Sequence, residues 1–364
     1  MKTYLRLCLP LLVTTMACAF VQKMIFPPAL TPDIPAPSQT PGPAATAAHP
    51  TEVYTPTPEI IHTPEPTACS DDDCLSACLD RLATVLEKNP LEPIGNAGEG
   101  RVANRNLVIY KVNGDEITDP RVLSVPPEYR KYQEDTEAHL RIWNFYVAII
   151  PPDLRTLVRE FVIFTDGSEG DVTAWVRPAL FDKGYWQAGF DLLDADYLPY
   201  LADTLVHETA HLLTLNASQM LPDDDHFHDY DEKKQEFSDC EQFAVSGSCS
   251  LPNSYINLFY QRFWKDSYAE WWELDQEARD ADTADEYFEI MEPFYDKYVQ
   301  SFLNPYAATN VEEDMAESFA FFGLHPKPSG TWIYEQKIAF YYEFPELVQY
   351  RRQIIAGLCS YIGP

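Results

Sequence analysis

The chain has 364 residues, 26 basic and 57 acidic side chains, and a formal net charge of −31. Such an excess of negative charge argues against a nucleic-acid partner or an anionic membrane surface, because each phosphate contact would meet repulsion. Residues 69–364 alone are long enough to bury a large core.

The chain opens on a short basic segment, Met1 to Arg6, followed by an apolar run, Leu7 to Ala19, too short to span a bilayer comfortably. Residues 1–19 therefore read as a signal peptide, and the remainder is expected outside the cytoplasm. Ala17-Cys18-Ala19 fits a small-residue cleavage site. Thr15-Met16-Ala17-Cys18 also resembles a bacterial lipobox, departing from it at Thr15. Both endings stay open: a secreted protein, or a cell-surface lipoprotein whose only membrane contact is a lipid on Cys18.

Residues 20–68 read as a disordered Pro/Thr-rich linker. The stretch 27–68 holds 12 of the 30 prolines and no Lys or Arg, so it cannot bury apolar surface. After the signal come Cys69, Cys74, Cys78, Cys240, Cys249 and Cys359. An even count in an exported chain implies three disulfides, with the pairing open. Cys240 and Cys249 bracket the loop "EQFAVSGS" and form the best local pair. "CSDDDCLSAC" lacks the Cys-x-x-Cys knuckle of a cysteine zinc site.

Residues 69–364 are expected to be α+β. "CLSACLDRLATVLEK" reads as a helix, and "NLVIYKVNGDEIT" as a strand entering an Asn113-Gly114 turn. "PEYRKYQEDTEAHLRIWNFYVAII" reads as one long helix stopped by Pro151-Pro152. "REFVIFTDG", "VTAWVRPAL" and "YWQAGFDLLD" read as strands. Helices then dominate, beginning with Tyr197 to Leu215 and continuing through "YINLFYQRFWKDSYAEWWELDQEA" and "EYFEIMEPFYDKYVQSFL", whose aromatics recur at helical spacing and read as core.

The helix from Tyr197 carries "DTLVHETAHLLTL". His207 and His211 are spaced i, i+4, so both imidazoles project from one face and can meet one tetrahedral zinc ion. Glu208 lies about 100° around the helix, placed to act as a general base rather than a ligand. The alternative is an ordinary helix whose histidines hydrogen-bond at an interface between lobes; a third ligand decides. Position 217 is Ala217, which rules out a histidine six residues after His211. "GTWIYEQ" has no aspartate. "DDDHFHDYD", with His226 and His228, reads as a solvated loop or a second-cation loop.

The best third-ligand segment is "NPYAATNVEEDMAESFAFFG". Val311 to Phe322 reads as a helix, with Asn310 as N-cap and Gly323 just past its end. Glu313 and Glu317 are i, i+4, and two like charges there need something positive beside them. Glu313 has a local alternative at position N3 of a capping box; Glu317 lies too far in. Ala316 and Ala320 leave room for another helix.

These two segments resemble the gluzincins, zinc metallopeptidases that draw two histidines from one helix and a glutamate from a second. "YAATNVEEDMAESF" looks more narrowly like the ligand helix of the anthrax lethal factor-like and Pro-Pro endopeptidase group, with a tyrosine seven residues before the ligand glutamate. The resemblance implies His207, His211 and Glu313 as Zn2+ ligands and Glu208 as general base. It implies Tyr306 as the phenol that donates to the oxyanion, and Glu317 as a carboxylate that orients a ligand. It implies a zincin-like fold: a mixed-sheet lobe over 69–215 with an edge strand above the cleft, then a mostly helical lobe over 216–364. "YWQAGFDLLD" would be that edge strand, pairing with a peptide or protein substrate. The resemblance rests on residues 203–215 and 304–323, and 101 residues separate His211 from Glu313, a long spacer for such a site.

The expected function is thus an extracellular zinc-dependent endopeptidase. A surface binding or adhesion module with a structural or vestigial zinc site is the rival; Glu208 and Tyr306 have no use there. An amidase acting on cell-wall material is a third reading.

Overall fold

The computed structural model describes residues 76–78, 80–81, 105–167, 172–179, 182–196, 198–221, 240–245, 248–278, 281 and 284–362. All of them belong to one compact unit. The expected signal peptide and linker, Cys69, Cys74, the "DDDHFHDYD" loop and most of the first expected helix lie outside the described residues.

The chain begins with a hairpin. Strand β1 (Arg105–Asn113) pairs antiparallel with β2 (Glu116–Val122), and Gly114 turns the corner at φ 64°, a value glycine adopts without strain. The expected long helix is interrupted. A single 3-10 turn (Pro127–Tyr129) and a short helix (Arg130–Glu134) precede the main helix α1 (Thr136–Ile149). Asp135 makes the break: its side chain accepts from the Ala138 N–H and caps α1, a local bond that competes with helix continuation.

Three strands follow: β3 (Val158–Thr165), β4 (Ala174–Ala179) and β5 (Asp182–Asp191). The sheet order is β2-β1-β3-β5-β4; β3 and β5 run parallel and the other pairs antiparallel. The α+β expectation holds in this mixed sheet, but the expected edge strand is wrong. The "YWQAGFDLLD" run enters β5, which lies inside the sheet; the edge on that side is β4. The reason is the tight reversal pairing Ala179 with Asp182, which folds β4 back over the side of β5 that would otherwise be open. Pro178 marks β4, since proline lacks a ladder N–H and belongs on edges.

Helix α1 covers one face of the sheet. Trp143 meets Phe161 edge-on at 5.1 Å between ring centroids, and Tyr146 packs on Phe190 at 6.0 Å. The motif helix α2 (Leu198–Leu215) follows. Among the described residues after α2 there is a small two-stranded hairpin, β6 (Ala244–Val245) and β7 (Ser248–Cys249), then helices α3 (Tyr255–Phe263), α4 (Tyr268–Ala278), α5 (Ala284–Lys297), α6 (Val311–Leu324), α7 (Ile333–Phe340) and α8 (Pro345–Ile362). The long aromatic segment is therefore two helices, broken between Phe263 and Tyr268. The rings of both aromatic segments are core, as expected: Trp264 and Trp271 of the first are buried with Phe294 and Phe302 of the second.

Cys240 pairs with Cys249, as the loop between them suggested, and Cys78 pairs with Cys359 on α8. Two disulfides fit an oxidising, extracytoplasmic environment. Among the described residues no helix is long and apolar enough to cross a membrane.

Candidate metal centre

Helix α2 is buried almost throughout its length, and α6 packs against it. Gly323 explains the close fit: a Cβ there would lie 3.0 Å from Val206 Cγ1. Gly323 therefore sits within α6 rather than past its end, and His325 is the C-cap. At the other end Asn310 caps as expected, its side chain accepting from the Glu313 N–H at 2.8 Å. The Glu313 side chain does not close a capping box. It turns to α2.

There His207 Nε2, His211 Nε2 and Glu313 Oε2 converge. The separations are 3.2 Å between the two imidazole nitrogens, 3.0 Å from His207 to Glu313 and 3.5 Å from His211 to Glu313. All three side chains are buried, and together they could hold a metal ion. A tetrahedral ion with bonds of about 2.05 Å needs donor spacings of about 3.3 Å. The observed triangle matches that size. Two imidazole nitrogens facing each other across 3.2 Å also require a proton or a cation in common. The donor set thus fits a zinc-like ion.

Electrostatics tie the cluster together. Burial works against charge on Glu313, but His211 and His207 outweigh it and hold its carboxyl well below the usual range. Burial likewise opposes charge on His207, yet Glu313 and Glu317 raise it well above its ordinary value. Glu317 lies on the other side of the ring, its Oε1 2.9 Å from His207 Nδ1. His207 thus lies between the two carboxylates, where the Glu313/Glu317 spacing called for something positive.

Glu208 is 5% exposed, and burial raises its pKa against the pull of His211 and His207. Its carboxylate accepts from the Val176 backbone N–H on edge strand β4, and its Oε2 is buried with no hydrogen-bond partner. The segment leading into the edge strand also meets the motif helix, where the Thr173 and Tyr200 hydroxyls bond at 2.8 Å. Tyr306 occupies a single 3-10 turn (Tyr306–Ala308) ahead of α6, with its ring centroid 6.0 Å from that of His207. All six expected site residues therefore lie in one neighbourhood.

Two contributors lie beyond the sequence reading. Asp203 sits one helical turn before His207, its pKa raised to about 7 by burial and by Glu317, with His207 opposing. Its i, i+4 spacing from His207 is a signal in the sequence. Asn304 donates to Glu317 Oε2 at 2.7 Å; no spacing rule announces it. The glutamates of "EYFEIMEP" and "DCEQF" do not join the cluster. Comparison with protein-family models, with curated proteins and with solved structures gave no match to this chain.

Proposed function

We propose that this chain is an extracytoplasmic zinc metallopeptidase that hydrolyses peptide bonds with water. The observation that carries the reading is the meeting of a three-donor cluster with Glu208 beside it, its Oε2 buried and without a partner. A purely structural zinc site is usually closed by a fourth protein ligand and has no use for such a base. Bound by His207, His211 and Glu313, zinc would act as a Lewis acid towards a substrate carbonyl and towards water.

Each neighbouring residue then has a task. Glu208 takes a proton from the attacking water and returns it to the leaving amine; its burial raises its pKa and suits it to both steps. The Tyr306 phenol donates to the oxyanion that develops at the substrate carbonyl. Glu317 Oε1 lies 2.9 Å from His207 Nδ1 and would orient the ring with Nε2 as the ligating atom. Among the described residues no strand pairs with the outer side of β4, so an extended peptide could add to the sheet beside Glu208. The excess of acidic residues accords with a substrate that is not a polyanion.

The test is digestion of an unbiased peptide library by the purified, zinc-loaded chain, wild type against Glu208→Gln. Cleavage by the wild type is expected to fall by about 10²–10⁴-fold in the variant, which keeps its zinc. Absence of cleavage by the zinc-loaded wild type would turn the reading towards a binding module or a non-peptide substrate.

A further inference from the structure

We infer that Asn304 is a positioning residue of the metal centre: its amide holds the Glu317 carboxylate with Oε1 turned to His207 Nδ1, and so keeps Nε2 of His207 free to bind metal. The inference rests on the metal-binding reading of His207, His211 and Glu313 and needs no peptidase activity.

The argument begins at a backbone group that can only donate. The Ala307 N–H bonds to Asn304 Oδ1 at 2.8 Å, which fixes the oxygen end of the amide against the turn that carries Tyr306. The nitrogen end must then face the other way, and it donates to Glu317 Oε2 at 2.7 Å. Glu317 is left with Oε1, which lies 2.9 Å from His207 Nδ1. The two atoms sit off the ideal hydrogen-bond line, but both are buried and neither has another hydrogen-bond partner. Burial without pairing is costly for each, so a small ring rotation that joins them is favoured. A carboxylate accepts only; His207 must therefore carry its proton on Nδ1. Nε2 keeps its lone pair, and Nε2 is the atom that faces His211 and Glu313. Asn304 thus holds in place the carboxylate that fixes the tautomer, and the same side chain holds the Tyr306 turn.

Isosteric exchanges test the polarity without changing volume. Asn304→Asp still accepts from Ala307 N–H, but sets a carboxylate against Glu317. Glu317→Gln accepts from Asn304 and presents an NH₂ group to His207 Nδ1, forcing the proton onto Nε2. Each change alone is expected to weaken zinc binding about 10–100-fold. Together they restore the path, because the amide introduced by Glu317→Gln can donate to the carboxylate introduced by Asn304→Asp and turn its oxygen to His207. Asn304→Asp is therefore expected to weaken zinc binding in the wild-type chain and to tighten it about tenfold or more in the Glu317→Gln chain.

The measurement is zinc dissociation from the full chain in competition with a chromophoric chelator, with near-ultraviolet circular dichroism of each zinc-free variant to verify native packing. If Asn304→Asp has the same sign in both backgrounds, Asn304 acts only through packing or charge and the inference fails. If the wild type binds no zinc, the metal reading fails and takes the inference with it. Imidazole ¹⁵N spectra of the zinc-loaded wild type read the same feature without any substitution. A proton on His207 Nδ1 is expected, and an Nδ1 without one overturns the inference.

Discussion

Glu313 and Glu317 sit one turn apart on α6, a like-charge pair that costs an isolated helix a few tenths of a kcal/mol. In the folded chain His207 lies between them, one carboxylate at each ring nitrogen. Tyr306 stands beside the same ring, and the proposed mechanism has its phenol donate to the oxyanion. Tyr306→Phe is expected to lower kcat by about 10²–10³-fold with little change in KM, measured on a peptide cleaved by the wild type. Zinc affinity should not move. A second buried charge pair stands next to Glu313: Lys337 Nζ lies 2.5 Å from Asp314 Oδ2, which also accepts from Trp264 Nε1 at 2.6 Å. Neither partner is exposed to water. Lys337→Met should cost about 3–5 kcal/mol in denaturant unfolding, because Asp314 would be left buried without its counter-charge. Phe259, Trp264 and Phe302 close around the ammonium, so no solvent can replace it.

At the scale of elements, the site is made where two helices and an edge strand meet. The His207/His211 pair is legible in the sequence because both residues belong to one helix, where spacing in sequence is spacing in space. Glu313 is legible from its own helix, its N-cap and the family-like pattern around it. The edge strand is not. Which of two neighbouring strands takes the outside depends on how β4 folds back on β5, and both runs have strand character; only Pro178 hints at the answer. The break at Asp135 escapes for a related reason, since a capping aspartate and a helix-surface aspartate look alike until the chain direction is known. Helix contacts show the same dependence. A Cβ on Gly357 of α8 would lie 1.9 Å from the Ala148 carbonyl oxygen of α1, which is backbone and cannot swing aside. Gly357→Ala is therefore expected to destabilise the protein by about 1–3 kcal/mol by thermal or denaturant unfolding. The metal cluster lies on other helices and should keep its zinc affinity.

For the molecule as a whole, the Cys78–Cys359 disulfide ties α8 to a segment 281 residues earlier in sequence. Closing so long a loop removes much of the freedom of the unfolded chain. Replacing both cysteines by serine should cost about 2–5 kcal/mol, read as a lower thermal midpoint under oxidising conditions and as insensitivity of that midpoint to reductant. Cys240–Cys249 spans only 9 residues and should matter less. The local pair is visible in the sequence because a short Gly/Ser loop brings its ends together anyway. The long-range pair is open among many, since nothing in the sequence states which distant segments meet.

What short range can carry was legible in the chain. It covers the acidic character, the two chemical helices with their spacings, the cap on α6 and the aromatic core of the later helices, because helical periodicity converts sequence position directly into a face. Tertiary structure alone decided the strand order and the junction of β4 with Glu208. It also decided the passage of His207 between two carboxylates and the place of Asn304 behind them. Those facts depend on contacts between residues far apart in the chain, such as His207 and Glu313 at a sequence separation of 106. Such contacts are fixed by the packing of whole faces, for which no single residue in the chain is a sign.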